Sequence, residues 1–125
     1  MNPSSINLLL LFLLHKQDIL VYNDLQAGTD LTLHCKSGDD DLGIHVLAYQ
    51  GNPFEFRFRP HFFAATLFYC SMEWNGAVHW FNIYEFLRDY EKCKRCLWNI
   101  KATGPCMLNY STNKYDICYP WDTTA

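Results

Sequence analysis

From residue 18 onward, apolar and polar positions alternate with a period of two, in short runs separated by turn formers, which is the pattern of half-buried strands. Phe54-Glu55-Phe56-Arg57-Phe58-Arg59 is the clearest run: its rings face one way and its charges the other, so one side packs inward and the other meets water. Leu31, Leu33 and Cys35 alternate with Thr32 and His34, and Phe68, Cys70, Met72 and Trp74 mark one face of a run from Thr66 to Trp74. Asn75-Gly76 then gives a two-residue hairpin signal, because both residues accept the positive φ of a type I′ turn. Further strands are predicted at Ile19–Tyr22, Ile44–Tyr49, Val78–Tyr84 and Cys96–Ile100, and Gly104-Pro105 opens a final pair ending near Tyr119. No segment has the period of an amphipathic helix, and Glu85–Lys94 reads as a charged, irregular loop. The pattern predicts an all-β fold, a disulfide-stabilised antiparallel β-sandwich of about seven to eight short strands.

Composition adds a compartment. At 125 residues the chain is one domain, and with 17% aromatic residues its core rests on rings. An even set of six cysteines at this density points to an oxidised, secreted domain. The apolar run Ile6–Leu14 is too short to span a bilayer, so no membrane span is expected. With no Lys or Arg before it, residues 1–14 read as a truncated or atypical signal segment, and 15–125 as the mature domain. A net charge of -3 offers no electrostatic case for nucleic acid.

Six cysteines permit fifteen pairings. Cys93 and Cys96 lie on one extended approach to a strand, where a mutual bond is strained unless a tight turn intervenes, so geometry ranks bonds to Cys35 and Cys70 on neighbouring strands ahead of it and leaves these two pairings open. Cys106 and Cys118 are expected to close the terminal hairpin.

Candidate chemistry is sparse. Asp39-Asp40-Asp41 lacks the spacing of a calcium loop and reads as a solvated corner. Cys93-x-x-Cys96 lacks the second ligand pair that zinc needs, so no metal and no cofactor is expected. His15, His34, His45, His61 and His79 sit in no hydrolase motif; a secreted, nuclease-like hydrolase would have to use His34 or His45. Tandem rings at Phe62-Phe63, Trp80-Phe81 and Tyr119-Pro120-Trp121 cannot all face inward, which leaves a carbohydrate-binding module based on Trp80 or Trp121 as another class. Asn109-Tyr110-Ser111 is an N-glycosylation sequon.

Leu31-Thr32-Leu33-His34-Cys35-Lys36-Ser37 with Asp39-Asp40-Asp41-Leu42-Gly43, Thr66-Leu67-Phe68-Tyr69-Cys70 with Trp74, Cys96-Leu97-Trp98-Asn99-Ile100 and Gly104-Pro105-Cys106 occur in that order. These blocks resemble the plant self-incompatibility protein S1 family, the S-protein homologues, over about Ile19 to Trp121. The resemblance implies a small secreted β-sandwich that acts without catalysis, as an extracellular signalling ligand for a cell-surface receptor protein, as the stigma S-proteins act on pollen. A rigid sandwich would present its partner with loops. The candidates are Ser37–Asp41 (Asp39, Asp40, Asp41), Gly51–Pro53, Asn75–Ala77 (Asn75), and Glu85–Lys94 with its neighbour Arg95 (Arg88, Asp89, Lys92, Lys94, Arg95).

Overall fold

The computed structural model describes residues 16–60 and 66–122. The apolar leader, His15, His61 and Phe62-Phe63 lie outside the described residues. The alternating runs become β1 (Gln17–Asn23), β2 (Leu31–Lys36), β3 (Asp41–Leu47), β4 (Phe54–Phe58), β5 (Leu67–Trp74), β6 (Ala77–Glu85), β7 (Arg95–Lys101), β8 (Gly104–Asn109) and β9 (Lys114–Cys118). One helical turn, α1 (Phe86–Asp89), interrupts the expected loop after β6. The strands form two sheets, β4-β1-β7-β8-β9 and β3-β2-β5-β6. Pairing is antiparallel except between β1 and β7, which run parallel, Ile19 beside Cys96 and Val21 beside Trp98.

The inner faces hold Ile19, Val21, Leu31, Leu33, Met72, Phe81, Ile83, Trp98, Ile100 and Met107, all buried. On β4 the three phenylalanines turn inward as a ladder: Phe54 and Phe56 lie 5.6 Å apart, and Phe58 packs 4.6 Å from Phe68. Glu55 and Arg57 stay exposed between them. The Asn75-Gly76 hairpin forms with both residues at positive φ, 52° and 76°.

Three disulfides staple this frame. Cys35–Cys70 ties directly opposed residues of β2 and β5, and Cys106–Cys118 does the same for β8 and β9, each at a Cα separation of 4.0 Å. The ranking that put Cys93 and Cys96 with Cys35 and Cys70 is corrected: they bond to each other, with a Cα separation of 5.2 Å. The reason is the turn leaving α1. Lys92 and Cys93 both donate their backbone N–H to the Asp89 carbonyl, which folds the approach to β7 back on itself.

Strand register sorts the connections onto two ends. At the upper end lie the turn 37–40, Arg59, α1 with the segment to Arg95, and the β8–β9 hairpin at Asn109, since Lys36 pairs with Tyr69, Leu67 with Glu85, Asp18 with Arg95 and Asn109 with Lys114. At the lower end lie the loop after Asn23, the connection 48–53, the Asn75-Gly76 hairpin and the turn at Ala102.

Candidate recognition site

At the upper end, the turn from β2 to β3 is built by its own hydroxyl. Ser37 Oγ accepts the Asp40 N–H at 3.1 Å, and the Asp40 carbonyl accepts the Ser37 N–H at 2.8 Å. This leaves Asp39 and Asp40 exposed on the wall of a cleft of about 580 Å³, shared with Phe58, Arg59, Phe68 and Tyr69. Among the described residues no group of three or more His, Cys, Asp or Glu side chains is arranged to hold a metal ion. Asp41 does not join Asp39 and Asp40 on the cleft wall. It opens β3, and its Oδ1 accepts the Gly43 N–H at 2.9 Å and the Nε2–H of His34 at 2.5 Å. The Gly43 bond first, and the His34 bond second, hold its carboxyl below the usual aspartate range.

The charged stretch after β6 divides into a buried and an exposed part. Arg88 and Asp89 turn inward and bond to each other. Arg88 grips Asp89 through two bonds of 2.7 Å and donates to the Asn82 carbonyl at 2.8 Å. Its guanidinium carbon lies 5.0, 5.3 and 4.9 Å from the ring centroids of Phe81, Trp98 and Tyr119. Asp89 is fully buried, and its carboxylate also accepts the Glu85 N–H at 3.0 Å. A planar cation that forks onto one carboxylate and stacks on rings satisfies its charge without water. Nothing in the local sequence separates this pair from solvated charges; its rings come from three other strands or segments. Lys92, Lys94 and Arg95 remain exposed at the same end, Arg95 reaching Asp18 at 3.5 Å.

Apolar side chains accompany those charges. Leu67, Leu87 and Tyr110 are exposed at the upper end, Leu87 to 81%. Tyr110 is held by its hydroxyl, which donates to the Arg95 carbonyl. Asn109 stands at the base of this hairpin, its Oδ1 accepting the Ser111 N–H at 2.9 Å.

Among the described residues, the histidines do not assemble a reactive pair. His34 faces outward on β2 against Asp41, whereas His45 stacks 4.1 Å from Phe54 and bonds the Leu42 carbonyl. His79 lies 4.0 Å from Trp74 and 5.1 Å from Trp121. The outer face of the smaller sheet exposes Ile44, Val46, Val78 and Trp80 around a polar middle of Thr32, His34 and Ser71. The remaining candidate, Asn75, lies at the lower end beside a second, smaller cavity.

Comparison with known proteins agrees with this architecture. Residues 18–121 match the family model described as plant self-incompatibility protein S1. S-protein homolog 29 of Arabidopsis thaliana is 42% identical over 107 aligned positions, covering 86% of this chain and 78% of that protein. S-protein homolog 2 of the same plant is 41% identical, covering 97% of this chain and 76% of its own length. A solved structure described as one of the "SPH (Self-Incompatibility Protein Homologue) proteins, a widespread family of small, highly stable, secreted proteins from plants" superposes with a TM-score of 0.56 at 14% identity, covering 89% of each chain. The chain belongs to the plant self-incompatibility protein S1 family, as one of its small, secreted, disulfide-bonded β-sandwich proteins.

Proposed function

We propose that this protein is a non-catalytic extracellular ligand, read by a receptor protein on a plant cell surface through its upper end. The observation that carries the reading is the convergence there of four connections that are distant in sequence. Exposed Leu67, Leu87 and Tyr110 lie at the same end as Asp39, Asp40 and Arg59, which share one cleft, and as Lys92, Lys94 and Arg95. Apolar centres within a charged rim are the anatomy of a protein interface, and charges of both signs favour steering and register over raw affinity. The disulfide bonds at Cys93–Cys96 and Cys106–Cys118 brace two of these connections, so the surface is organised before a partner arrives.

Labelled, oxidised protein added to plant protoplasts is expected to bind saturably at a protease-sensitive site. Reversing Asp39 and Asp40 to Lys, or Lys92, Lys94 and Arg95 to Glu, is expected to slow association at least tenfold and to weaken its salt dependence. Saturable binding that ignores both charge reversals would refute the assignment of this end. Turnover of RNA or glycans abolished by H34A or H45A would refute the non-catalytic reading.

A further inference from the structure

The lower end carries a cavity that plays no part in the receptor reading. It measures about 180 Å³ and is lined by Leu25, Gln26, Thr29, Trp74, Asn75 and Ala102. That is smaller than the ~300–1,000 Å³ of pockets for drug-sized ligands and suits one substituted six-membered ring.

Its aromatic wall is fixed. His79 stacks on Trp74 at 4.0 Å with the planes 23° apart, and Trp121 leans in at 5.6 Å. Trp121 is itself pinned, its Nε1–H donating to the Ala102 carbonyl at 3.0 Å. Asn75 is held by the type I′ hairpin turn it shares with Gly76. The polar groups, by contrast, are uncommitted: among the described residues the side chains of Gln26, Thr29 and Asn75 make no hydrogen bond. Two amides and a hydroxyl offer both donors and acceptors to a ligand. None of the six lining residues is charged.

We propose that this cavity is a binding site for one neutral hexopyranose residue of a glycan. The ring's C–H face lies against the Trp74 indole, whose π face is negative, and its hydroxyls bond Gln26, Thr29 and Asn75. A uronic acid fits worse, because no lining cation meets its carboxylate. The site differs from the sugar face expected on Trp80 or Trp121: Trp80 belongs to the outer sheet face, and Trp121 buttresses Trp74.

The test is an NMR titration of the oxidised chain with cello-, laminari-, manno- and galacto-tetraose, with tetragalacturonate as the acidic counterpart. At least one neutral tetraose is expected to shift the Trp74 indole N–H saturably at millimolar concentration. Gln26→Ala and Asn75→Gly, which keeps the turn, should each weaken binding about five- to tenfold, the loss of one hydrogen bond. The upper-end charge reversals should leave binding unchanged, so this proposal and the receptor reading fail separately. No saturable shift with any neutral tetraose, shifts centred on Trp80, insensitivity to both variants, or tighter binding of tetragalacturonate would each overturn it.

Discussion

Removing the cation of the Arg88–Asp89 pair should cost more than any surface substitution in this protein. Arg88→Met keeps much of the side-chain volume against Phe81, Trp98 and Tyr119 but leaves the Asp89 carboxylate fully buried, with the Glu85 N–H still bonded to it. Breaking a buried ion pair by deleting one partner costs about 3–5 kcal/mol, and the lost stacking of a desolvated cation on the rings adds to the upper part of that range. For a domain of this size each kcal/mol lowers the Tm by about 4–5 °C, so a fall on the order of 15 °C is expected. Arg88→Lys keeps the charge and loses the fork, and should fall between the variant and the native protein. Asp89→Asn should also be strongly destabilising, but the double variant R88M/D89N should cost clearly less than the sum of the two, with a coupling of about 2 kcal/mol. Urea denaturation of the oxidised proteins, read by tryptophan fluorescence, gives all four values. A cost for R88M below about 1 kcal/mol, or strict additivity in the double variant, would mean that Arg88 is not a clamp and is available to a partner.

Replacing each cysteine pair with alanine should cost stability in the order of loop length: about 4 kcal/mol for Cys35–Cys70, about 3 for Cys106–Cys118 and about 2 for Cys93–Cys96 in the loop-entropy account. Chemical denaturation of the three double variants checks the order. Gly104→Ala should prevent folding or cost on the order of 3 kcal/mol or more, because at φ 145° its Cβ would stand 2.1 Å from the Tyr119 carbonyl oxygen. Gly76→Ala meets nothing within 4 Å and should cost only about 1–2 kcal/mol for its positive φ, so thermal melts of the pair separate collision from backbone preference. Asp41 should titrate by NMR below the ordinary aspartate range. Its ionised form is the one favoured by folding, so its contribution is present above the unfolded pKa and lost as pH falls through the folded value. His34→Ala should move the midpoint only part of the way back, because the Gly43 N–H remains.

What the residues disclosed in advance follows from what each signal measures. Alternation reports which face a side chain takes, so the β4 ladder, the outward His34 and the Asn75-Gly76 turn could be read directly. It does not report which strand lies alongside, and the parallel neighbourhood of β1 and β7 was not legible. The only hint is the unbroken apolar run Ile19-Leu20-Val21, typical of a strand buried on both faces, as parallel strands are. The Cys93–Cys96 bond was missed because a four-residue helix is too short to give a period, and that turn is what folds the approach to β7. Arg88 and Asp89 resembled their exposed neighbours Lys92 and Lys94 for a similar reason. Their burial comes from rings supplied by β6, β7 and the segment after β9, and no local pattern encodes that. The cavity beside Trp74 likewise needs loops from three places in the chain.

The central position of β1 sets an order of events during synthesis. The β3-β2-β5-β6 sheet is made entirely from Leu31–Glu85 and contains Cys35–Cys70, so it can assemble and oxidise while the rest of the chain is still being made. The other sheet cannot, because β1 must wait for β7 before its second edge is covered. Until Lys101 has emerged, Ile19, Leu20 and Val21 are a hydrophobic strand without its parallel neighbour, and long-range pairing of that kind is slow and prone to misassociation. The N-terminal strand is thus the first part of the domain to be made and among the last to be enclosed.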